Sequence, residues 1–229
     1  MNSPLLCAAT IDELDAFGLG DAEILEPGRL WKVSGKVDVF AAVTGAGIPV
    51  TLLRLSPLLD RLRPSLLVDI GIAGAYPGSG LEIGEVVAGE SEVFADLGME
   101  FPEAPHFRPL GEFPFADDAL RAPLPLVVPR WAEGARRARG ATVNACAGTD
   151  AVGALRRRVF AADFEGMEGA AFALAGRERG TPVAEIRAIS NVAARRDMRP
   201  ENVRRALEAL RGFWASRRAL LLESSGDAA

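Results

Sequence analysis

The sequence predicts a single-domain α/β protein with three layers, in which helices cover both faces of a central, mixed and mainly parallel twisted sheet. Two observations lead to this fold class. Short apolar segments alternate with amphipathic stretches along the chain, as in strands separated by helices. The chain has 229 residues, of which 49% are hydrophobic, and these are spread along its whole length, which is enough to form one large core. We therefore expect one domain over residues 1–229, with a frayed tail at residues 224–229.

Seven apolar segments predict strands and five amphipathic segments predict helices. The predicted strands are residues 5–9, 37–43, 66–71, 85–94, 124–128, 141–146 and 183–190. The predicted helices are residues 50–62, 131–139, 151–160, 167–179 and 200–222. Residues 98–123 are rich in proline, phenylalanine and acidic groups, contain the one histidine, His106, and show no clear periodicity. They predict a surface loop excursion.

Composition excludes several classes of function. A formal charge of −5 and a pI near 5.1 argue against nucleic acid as a partner, because phosphate binding requires a basic surface. The basic runs at residues 136–137 and 156–158 fall on stretches predicted to be exposed helix, where a solvated face explains them. The N-terminus lacks the order of a signal peptide, and no apolar stretch is long enough for a membrane span. Cys7 and Cys146 lie in apolar runs that predict buried thiols, so a cytoplasmic location is expected.

The first stretch with functional character is residues 67–76, where an apolar strand runs into Ile72, Ala73 and Gly74. Small residues after a strand let backbone groups approach a ligand at the carboxyl edge of a sheet. The stretch does not match a dinucleotide-binding motif. Taken alone, it is better explained by a tight turn.

Two further stretches place polar side chains at similar positions. Glu168 heads a helix of small and apolar residues, where it either caps the helix or offers two oxygens to the hydroxyls of a ribose. Asn191 ends a predicted strand, where it either caps the following turn or faces a ligand. Together the three strand ends predict one crevice.

These stretches, Gly71-Ile72-Ala73-Gly74, residues 167–170 and residues 187–191, resemble three ordered motifs of the nucleoside phosphorylase and nucleosidase superfamily. The resemblance extends over nearly the whole chain. Within that superfamily the Ile-Ala-Gly turn, residues 95–98 and the Ser-Asn ending are most similar to the futalosine hydrolase family. The resemblance implies hydrolysis of the bond between ribose and hypoxanthine in futalosine, in the alternative menaquinone pathway. It also implies a homo-oligomer that needs no cofactor.

The resemblance also implies roles for individual residues. Met167 and Glu168 would line the ribose, with Glu168 binding its 2′ and 3′ hydroxyls, while Ala73 and Gly74 would border the base. Asn191 would face the base, at a position where adenosine-type nucleosidases have aspartate. Hypoxanthine presents two acceptors there, N7 and O6, to which an amide donates and which an ionised aspartate repels. Asparagine therefore favours a 6-oxopurine.

Glu13 matches the glutamate that activates the attacking water in that superfamily, with Asp12 as its rival. An acidic pair that opens a surface helix is the plain alternative for both residues. Ile72 stands where relatives often have serine or threonine, and its side chain cannot donate a hydrogen bond to phosphate. The sequence also lacks a Gly-x-Pro-x-Arg phosphate loop near the N-terminus, so water is the expected nucleophile. Arg195 or Arg196 is the candidate partner for the substrate carboxylate.

No cluster of histidine and cysteine suggests a metal site. Two other functions remain open at this point. One is a nucleosidase or phosphorylase that acts on adenosine-type thio-nucleosides or on inosine. The other is a non-catalytic nucleoside-binding module.

Overall fold

The computed structural model describes residues 3–103, 106–194 and 199–223. The predicted tail at residues 224–229, and both Arg195 and Arg196, lie outside the described residues. The strands are β1 (Leu5–Ala8), β2 (Glu23–Glu26), β3 (Leu30–Val33), β4 (Val39–Val43), β5 (Leu67–Ala75), β6 (Val86–Phe94), β7 (Gly98–Glu100), β8 (Phe107–Pro109), β9 (Leu124–Pro125), β10 (Arg136–Thr142), β11 (Phe164–Gly166) and β12 (Val183–Val192). The helices are α1 (Ile11–Leu14), α2 (Ile48–Leu62), α3 (Asp150–Phe160), α4 (Gly169–Arg177) and α5 (Pro200–Glu223).

The main sheet has the strand order β11-β10-β6-β12-β5-β1-β4-β3-β2, with β9 paired to β6. Parallel pairs join β4, β1, β5 and β12 in one group and β6, β10 and β11 in another. Antiparallel pairs β12–β6 and β11–β5 join the two groups, so that β5, β12, β6, β10 and β11 close on themselves. The prediction of an α/β fold around a mixed sheet is confirmed.

The layers follow from the alternation of side chains along β1 and its neighbours. Leu5 and Cys7 pack with residues of α2 and α4 on one face, whereas Leu6 and Ala8 belong to the cluster that α5 covers on the other. Successive side chains of a strand point to opposite faces, so a strand that is apolar throughout is covered on both sides. The closed part of the sheet has an apolar interior of its own, to which Ala73, Ala75, Val87, Ala138, Phe164 and Ile189 contribute.

Some sequence predictions were wrong. Residues 131–139 do not form a helix: a 3-10 turn at Arg130–Ala132 is followed by β10, because Gly134 adopts a φ of 86° and interrupts the helical path. The basic pair Arg136-Arg137 therefore lies on a strand. The strand predicted at residues 124–128 is reduced to two residues, and the one predicted at 141–146 ends at Thr142. Strands β2, β3 and β11 were missed.

The excursion at residues 98–123 contains short elements. Strands β7 and β8 form a separate two-stranded sheet, and 3-10 turns follow at Leu110–Glu112 and Asp118–Leu120.

Trp214 anchors α5 to the sheet. Its side chain is fully buried, and its ring centroid lies 5.0 Å from that of Phe17, 5.1 Å from that of Trp131 and 5.4 Å from that of Phe213. We expect Trp214→Ala to lower the free energy of unfolding by about 3–5 kcal/mol, because the cavity cannot close around three fixed rings.

Urea unfolding followed by circular dichroism measures this loss. Glu208→Ala is the control, since Glu208 is exposed on the same helix and should change the free energy of unfolding by less than about 0.5 kcal/mol. Equal effects of the two variants would contradict the assigned packing.

Candidate active site

One open cavity of about 260 Å³ lies where β1, β5, β11 and β12 end. Its lining consists of Ala9, Thr10, Glu13, Ala46, Ile72, Ala73, Gly74, Cys146, Glu165, Gly166, Met167, Glu168, Ser190 and Asn191. All the site residues predicted from the sequence are therefore brought together, except Arg195, which lies outside the described residues. The carboxyl ends of parallel strands meet at one edge of a sheet, which explains the convergence.

Glu13 is both a helix cap and a cavity residue. Its Oε2 accepts hydrogen bonds from the backbone N–H of Thr10 at 3.0 Å and from the Thr10 hydroxyl at 2.7 Å, which completes a capping box. Its Oε1 accepts from the backbone N–H of Ile72 at 3.0 Å. Burial raises the pKa of the Glu13 carboxyl, and the hydrogen bonds from Ile72 and Thr10 oppose that rise. Asp12, the rival, is exposed and does not line the cavity.

Glu168 does not cap its own helix. It occupies the N-cap position of α4, yet its side chain makes no capping hydrogen bond there. Instead Oε1 accepts from the backbone N–H of Gly47 at 2.9 Å, and Oε2 lies 3.9 Å from Nη2 of Arg187. The side chain is 7% exposed. These contacts hold a buried carboxylate at the cavity wall.

Asn191 reaches the cavity because β12 is irregular at its end. The pairing with β5 shifts register between Ile189 and Asn191, so both Ser190 and Asn191 line the cavity. The Asn191 Oδ1 accepts from the Ser190 hydroxyl at 3.0 Å, and Nδ2 donates to the carbonyl of Val192 at 3.1 Å. One amide hydrogen therefore remains for a ligand, where the sequence suggested two.

Two glycines of β5 make room for these side chains. A Cβ on Gly71 would overlap Nη1 of Arg187 and lie 2.7 Å from Oε1 of Glu13. A Cβ on Gly74 would lie 3.0 Å from Nδ2 of Asn191. The tight-turn interpretation of residues 71–74 is thus wrong, since these residues are part of β5.

Glu165 is a cavity residue to which the sequence analysis assigned no role. Its Oε1 accepts from the backbone N–H of Ala147 at 2.8 Å, and Oε2 accepts from the Tyr76 hydroxyl at 3.0 Å and from Arg156 Nη1 at 3.3 Å. The carboxylate thus ties β11 to the loop before α3. The sequence did contain a hint of this role, because Glu165 is a second acidic residue only three positions before Glu168.

Among the described residues, every charged side chain that lines the cavity is negative. Its charged side chains among the described residues are three carboxylates, those of Glu13, Glu165 and Glu168, and no lysine or arginine joins them. Arg187 is fully buried behind the wall, where its Nε donates to Glu185 and its Nη2 pairs with Asp69. Such a wall favours a positive charge that develops on a ligand.

Two other cavities lie beside the excursion. One of about 540 Å³ is bordered by residues 95–101, by residues 106–107 and by α3. The other, of about 200 Å³, is bordered by residues 92–97, 109–112 and 119–124 and by the end of α3. Neither shares a lining residue with the cavity at the strand ends. Over the described ranges, no group of histidine, cysteine and acidic residues has an arrangement that would hold a metal ion. None of the helices described is both long and apolar enough for a membrane span.

Comparison with known proteins first defines the class. A sequence model of the Phosphorylase superfamily matches residues 25–219, so the chain belongs to that superfamily. Solved structures agree on the fold. The 5′-methylthioadenosine/S-adenosyl homocysteine nucleosidase of Helicobacter pylori matches with a TM-score of 0.79 and 17% identity over 94% of this chain and 97% of its own. A futalosine hydrolase mutant of the same species matches with a TM-score of 0.78 and 17% identity over 95% and 98%.

Sequence relatives narrow the class. Futalosine hydrolase of Thermus thermophilus is 40% identical over 80% of this chain and 81% of its own length. Futalosine hydrolase of Acidothermus cellulolyticus is 33% identical over 98% and 94%, and that of Streptomyces coelicolor is 33% identical over 85% and 84%. Within the superfamily this places the chain in the futalosine hydrolase family, and the resemblance noted in the sequence is confirmed.

The close packing of Arg187 and Glu13 around Gly71 can be tested without a substrate. We expect Gly71→Ala to lower the free energy of unfolding by about 1–3 kcal/mol, because the added methyl displaces Arg187 and Glu13, both held by hydrogen bonds. Urea unfolding measures the change. Gly212→Ala is the matched control: nothing lies within 4 Å of its added methyl on α5, and it should gain about 0.5–1 kcal/mol. A neutral Gly71→Ala would refute this packing.

Proposed function

We propose that this protein hydrolyses the N-glycosidic bond of futalosine and releases hypoxanthine, a reaction of the alternative menaquinone pathway. The observation that carries the proposal is the carboxylate wall of the cavity at the strand ends. Breaking the bond between ribose and base builds positive charge on the sugar and negative charge on the base. A site lined by carboxylates is more favourable to that transition state than to the neutral substrate. The names of the relatives supply the substrate.

Glu168 is proposed to bind the 2′ and 3′ hydroxyls of the ribose. An ionised carboxylate has about four lone-pair positions, of which the backbone N–H of Gly47 uses one on Oε1 and the backbone N–H of Met167 uses one on Oε2. Each oxygen therefore retains capacity for one sugar hydroxyl. Met167 lies next to it in the lining and would form the apolar side of the sugar site.

Asn191 is proposed to bind the departing base, which Ala73 and Gly74 would border. The amide hydrogen that Val192 leaves available would donate to N7 or O6 of the 6-oxopurine, and it would stabilise the charge on the base as the bond breaks. Ser190 orients the amide through its hydroxyl.

Glu13 is proposed to accept the proton of the attacking water. Its raised pKa makes the carboxylate a stronger base than an exposed glutamate, and the backbone of Ile72 keeps it pointed at the cavity. Phosphate would face three carboxylates here without a cation among the described lining residues. Water therefore suits the site better as nucleophile.

Three further proposals complete this function. Arg195 or Arg196 would bind the carboxylate of the substrate. A homo-oligomer is supported by the apolar residues Val50 and Leu53, exposed on α2. A cytoplasmic location is supported by the low cysteine content and by the burial of Cys7 in β1.

Incubation with futalosine, with and without phosphate, tests the reaction. We expect hypoxanthine at equal rates in both buffers and no sugar phosphate, as measured by chromatography. Glu13→Gln should lower kcat by about 10²–10⁴-fold and remove the decline of activity at acid pH, since its amide cannot accept a proton. Asp12→Asn is the control and should retain activity.

An unchanged rate in Glu13→Gln would remove the proposed base. Turnover of methylthioadenosine at the rate of futalosine would favour an adenosine-type nucleosidase, and phosphate-dependent release would favour a phosphorylase. Binding of nucleoside without any turnover in the wild type would identify a binding module.

Asn191→Asp tests recognition of the base. We expect kcat/KM for futalosine to fall by about 10–100-fold, because the carboxylate presents acceptors to the acceptors of hypoxanthine. Turnover of a 6-aminopurine nucleoside should rise relative to that of futalosine. Asn191→Ala removes the contact without adding charge. It therefore distinguishes repulsion of the base by a carboxylate from loss of the amide hydrogen bond. If the two variants reduce futalosine turnover equally and leave selectivity unchanged, the base does not contact residue 191.

A further inference from the structure

A buried ionic cluster lies behind the candidate sugar site. Arg187 is at its centre: Nε donates to Oε1 of Glu185 at 2.8 Å, Nη2 pairs with Oδ2 of Asp69, and Nη2 lies 3.9 Å from Oε2 of Glu168. The Arg187 side chain is fully buried. On β12, Glu185 and Arg187 alternate with residues that face α5, so both point into the closed part of the sheet, beside Ile189.

A second carboxyl group adjoins Glu185. Glu92 on β6 is fully buried, and its Oε2 accepts from the hydroxyl of Thr142 at 2.8 Å. A Cβ on Gly169 would lie 2.6 Å from Oε1 of Glu92 and 2.5 Å from Oε1 of Glu185, so the two carboxyl groups lie side by side. Oε1 of Glu92 and Oε2 of Glu185 have no hydrogen-bond donor among the described residues.

Two ionised carboxylates in this position are strongly disfavoured. Each would lose its hydration, each would repel the other, and one oxygen on each would have no donor. Arg187 supplies one positive charge, and Asp69, Glu168 and Glu185 already compete for it. A proton between the two glutamates removes one negative charge and provides the missing donor.

We propose that Glu92 and Glu185 share one proton, and that this pair holds Arg187 in position behind the candidate sugar site. Glu185 is then a positioning residue: it fixes the Nε side of the guanidinium, while Asp69 fixes Nη2. The guanidinium so held faces Glu168. This step rests on the proposed function, because it assumes that Glu168 binds the substrate.

The surroundings of Glu92 agree with a held proton. Burial and the charge of Glu185 raise its pKa well above the ordinary value, while the hydroxyl of Thr142 and the charge of Arg187 oppose the rise. The start of α4 presents the backbone of Gly169 to the pair. Tyr76, just after β5, donates its hydroxyl to Glu165, and its pKa is raised by burial, by Glu165 and, least, by Glu92. Asp69 on β5 is the other buried carboxyl beside Arg187, and burial raises its pKa as well.

Glu92→Gln is the decisive variant, because its amide donates to Glu185 as a protonated Glu92 would, and its oxygen accepts from Thr142. A raised pKa in the folded state means that the wild type gains stability from this proton below the ordinary pKa of glutamate. The gain is lost as pH rises toward the raised value. We expect the Tm of the wild type to fall with rising pH above that ordinary value, and the Tm of Glu92→Gln to fall by ~3 °C less over the same range.

The control is Glu90→Gln, which removes an exposed carboxylate two residues away on β6 and should leave the pH dependence of Tm as in the wild type. Infrared difference spectra between low and high pH should show buried protonated carboxyl groups in the wild type. Glu92→Gln should lack one component of that band, while the contributions of Glu13 and Asp69, whose pKa values burial also raises, remain. These measurements use no substrate, so they stand whether or not futalosine is cleaved. Parallel Tm profiles of the wild type and Glu92→Gln would overturn the shared proton.

Glu185→Gln tests positioning. It keeps the size of the side chain but removes the charge that holds Arg187, so we expect kcat for the nucleoside to fall about tenfold or more, with a smaller change in KM. Glu92→Gln should stay within about threefold of the wild-type kcat, because the pair is preserved. A Glu185→Gln variant with normal kcat and a lowered Tm would show a purely structural role and overturn the positioning. Glu185→Asp replaces it if the glutamine variant does not fold.

Discussion

The pairing of β12 with β5 is the constraint on which the candidate site depends. Arg187 lies opposite Gly71, and Asn191 lies opposite Gly74 after a shift in register. Each polar side chain thus faces a residue without a side chain, which leaves space that any other residue would fill. Because the guanidinium and Glu13 share the space at Gly71, the proposed sugar side of the site and the ionic cluster behind it are both positioned by one strand pair.

The closed part of the sheet explains why charged groups are buried there. The pairing of β11 with β5 encloses a small interior. Part of this interior is apolar, around Ala138, Phe164 and Ile189, and part contains the buried charged groups Arg187 and Glu92. In such surroundings an unpaired charge is much more costly than in water, so every partner must be placed accurately. The same surroundings make the network rigid once its donors and acceptors are matched.

The sequence predicted the edge of the sheet at which the site lies, because the carboxyl ends of parallel strands meet there. It did not decide between a cap and a ligand role for Glu168: the backbone N–H that orients the carboxylate belongs to Gly47, which is 121 residues away. Nor did it indicate the contact between Glu92 and Glu185, whose carboxyl groups meet beside Gly169 at the start of α4. The error at β10 has a local cause, since spaced arginines among small residues fit both a helix face and a half-exposed strand.

Arg187 also interacts with the two carboxylates, those of Glu13 and Glu168, that line the cavity. Burial raises the pKa of Glu13, Glu168 adds to that rise and Arg187 opposes it, so the buried cation favours the ionised form of the proposed base without entering the cavity itself. A cation on the cavity wall would stabilise the same carboxylates but would oppose the positive charge that forms on a ribose. A cation one layer behind the wall is separated from that charge by the carboxylates, and its effect on the sugar is weaker because interaction energy falls with distance. The layered order of cavity, carboxylates and guanidinium is therefore suited to cleavage through a cationic sugar, with water as the attacking group.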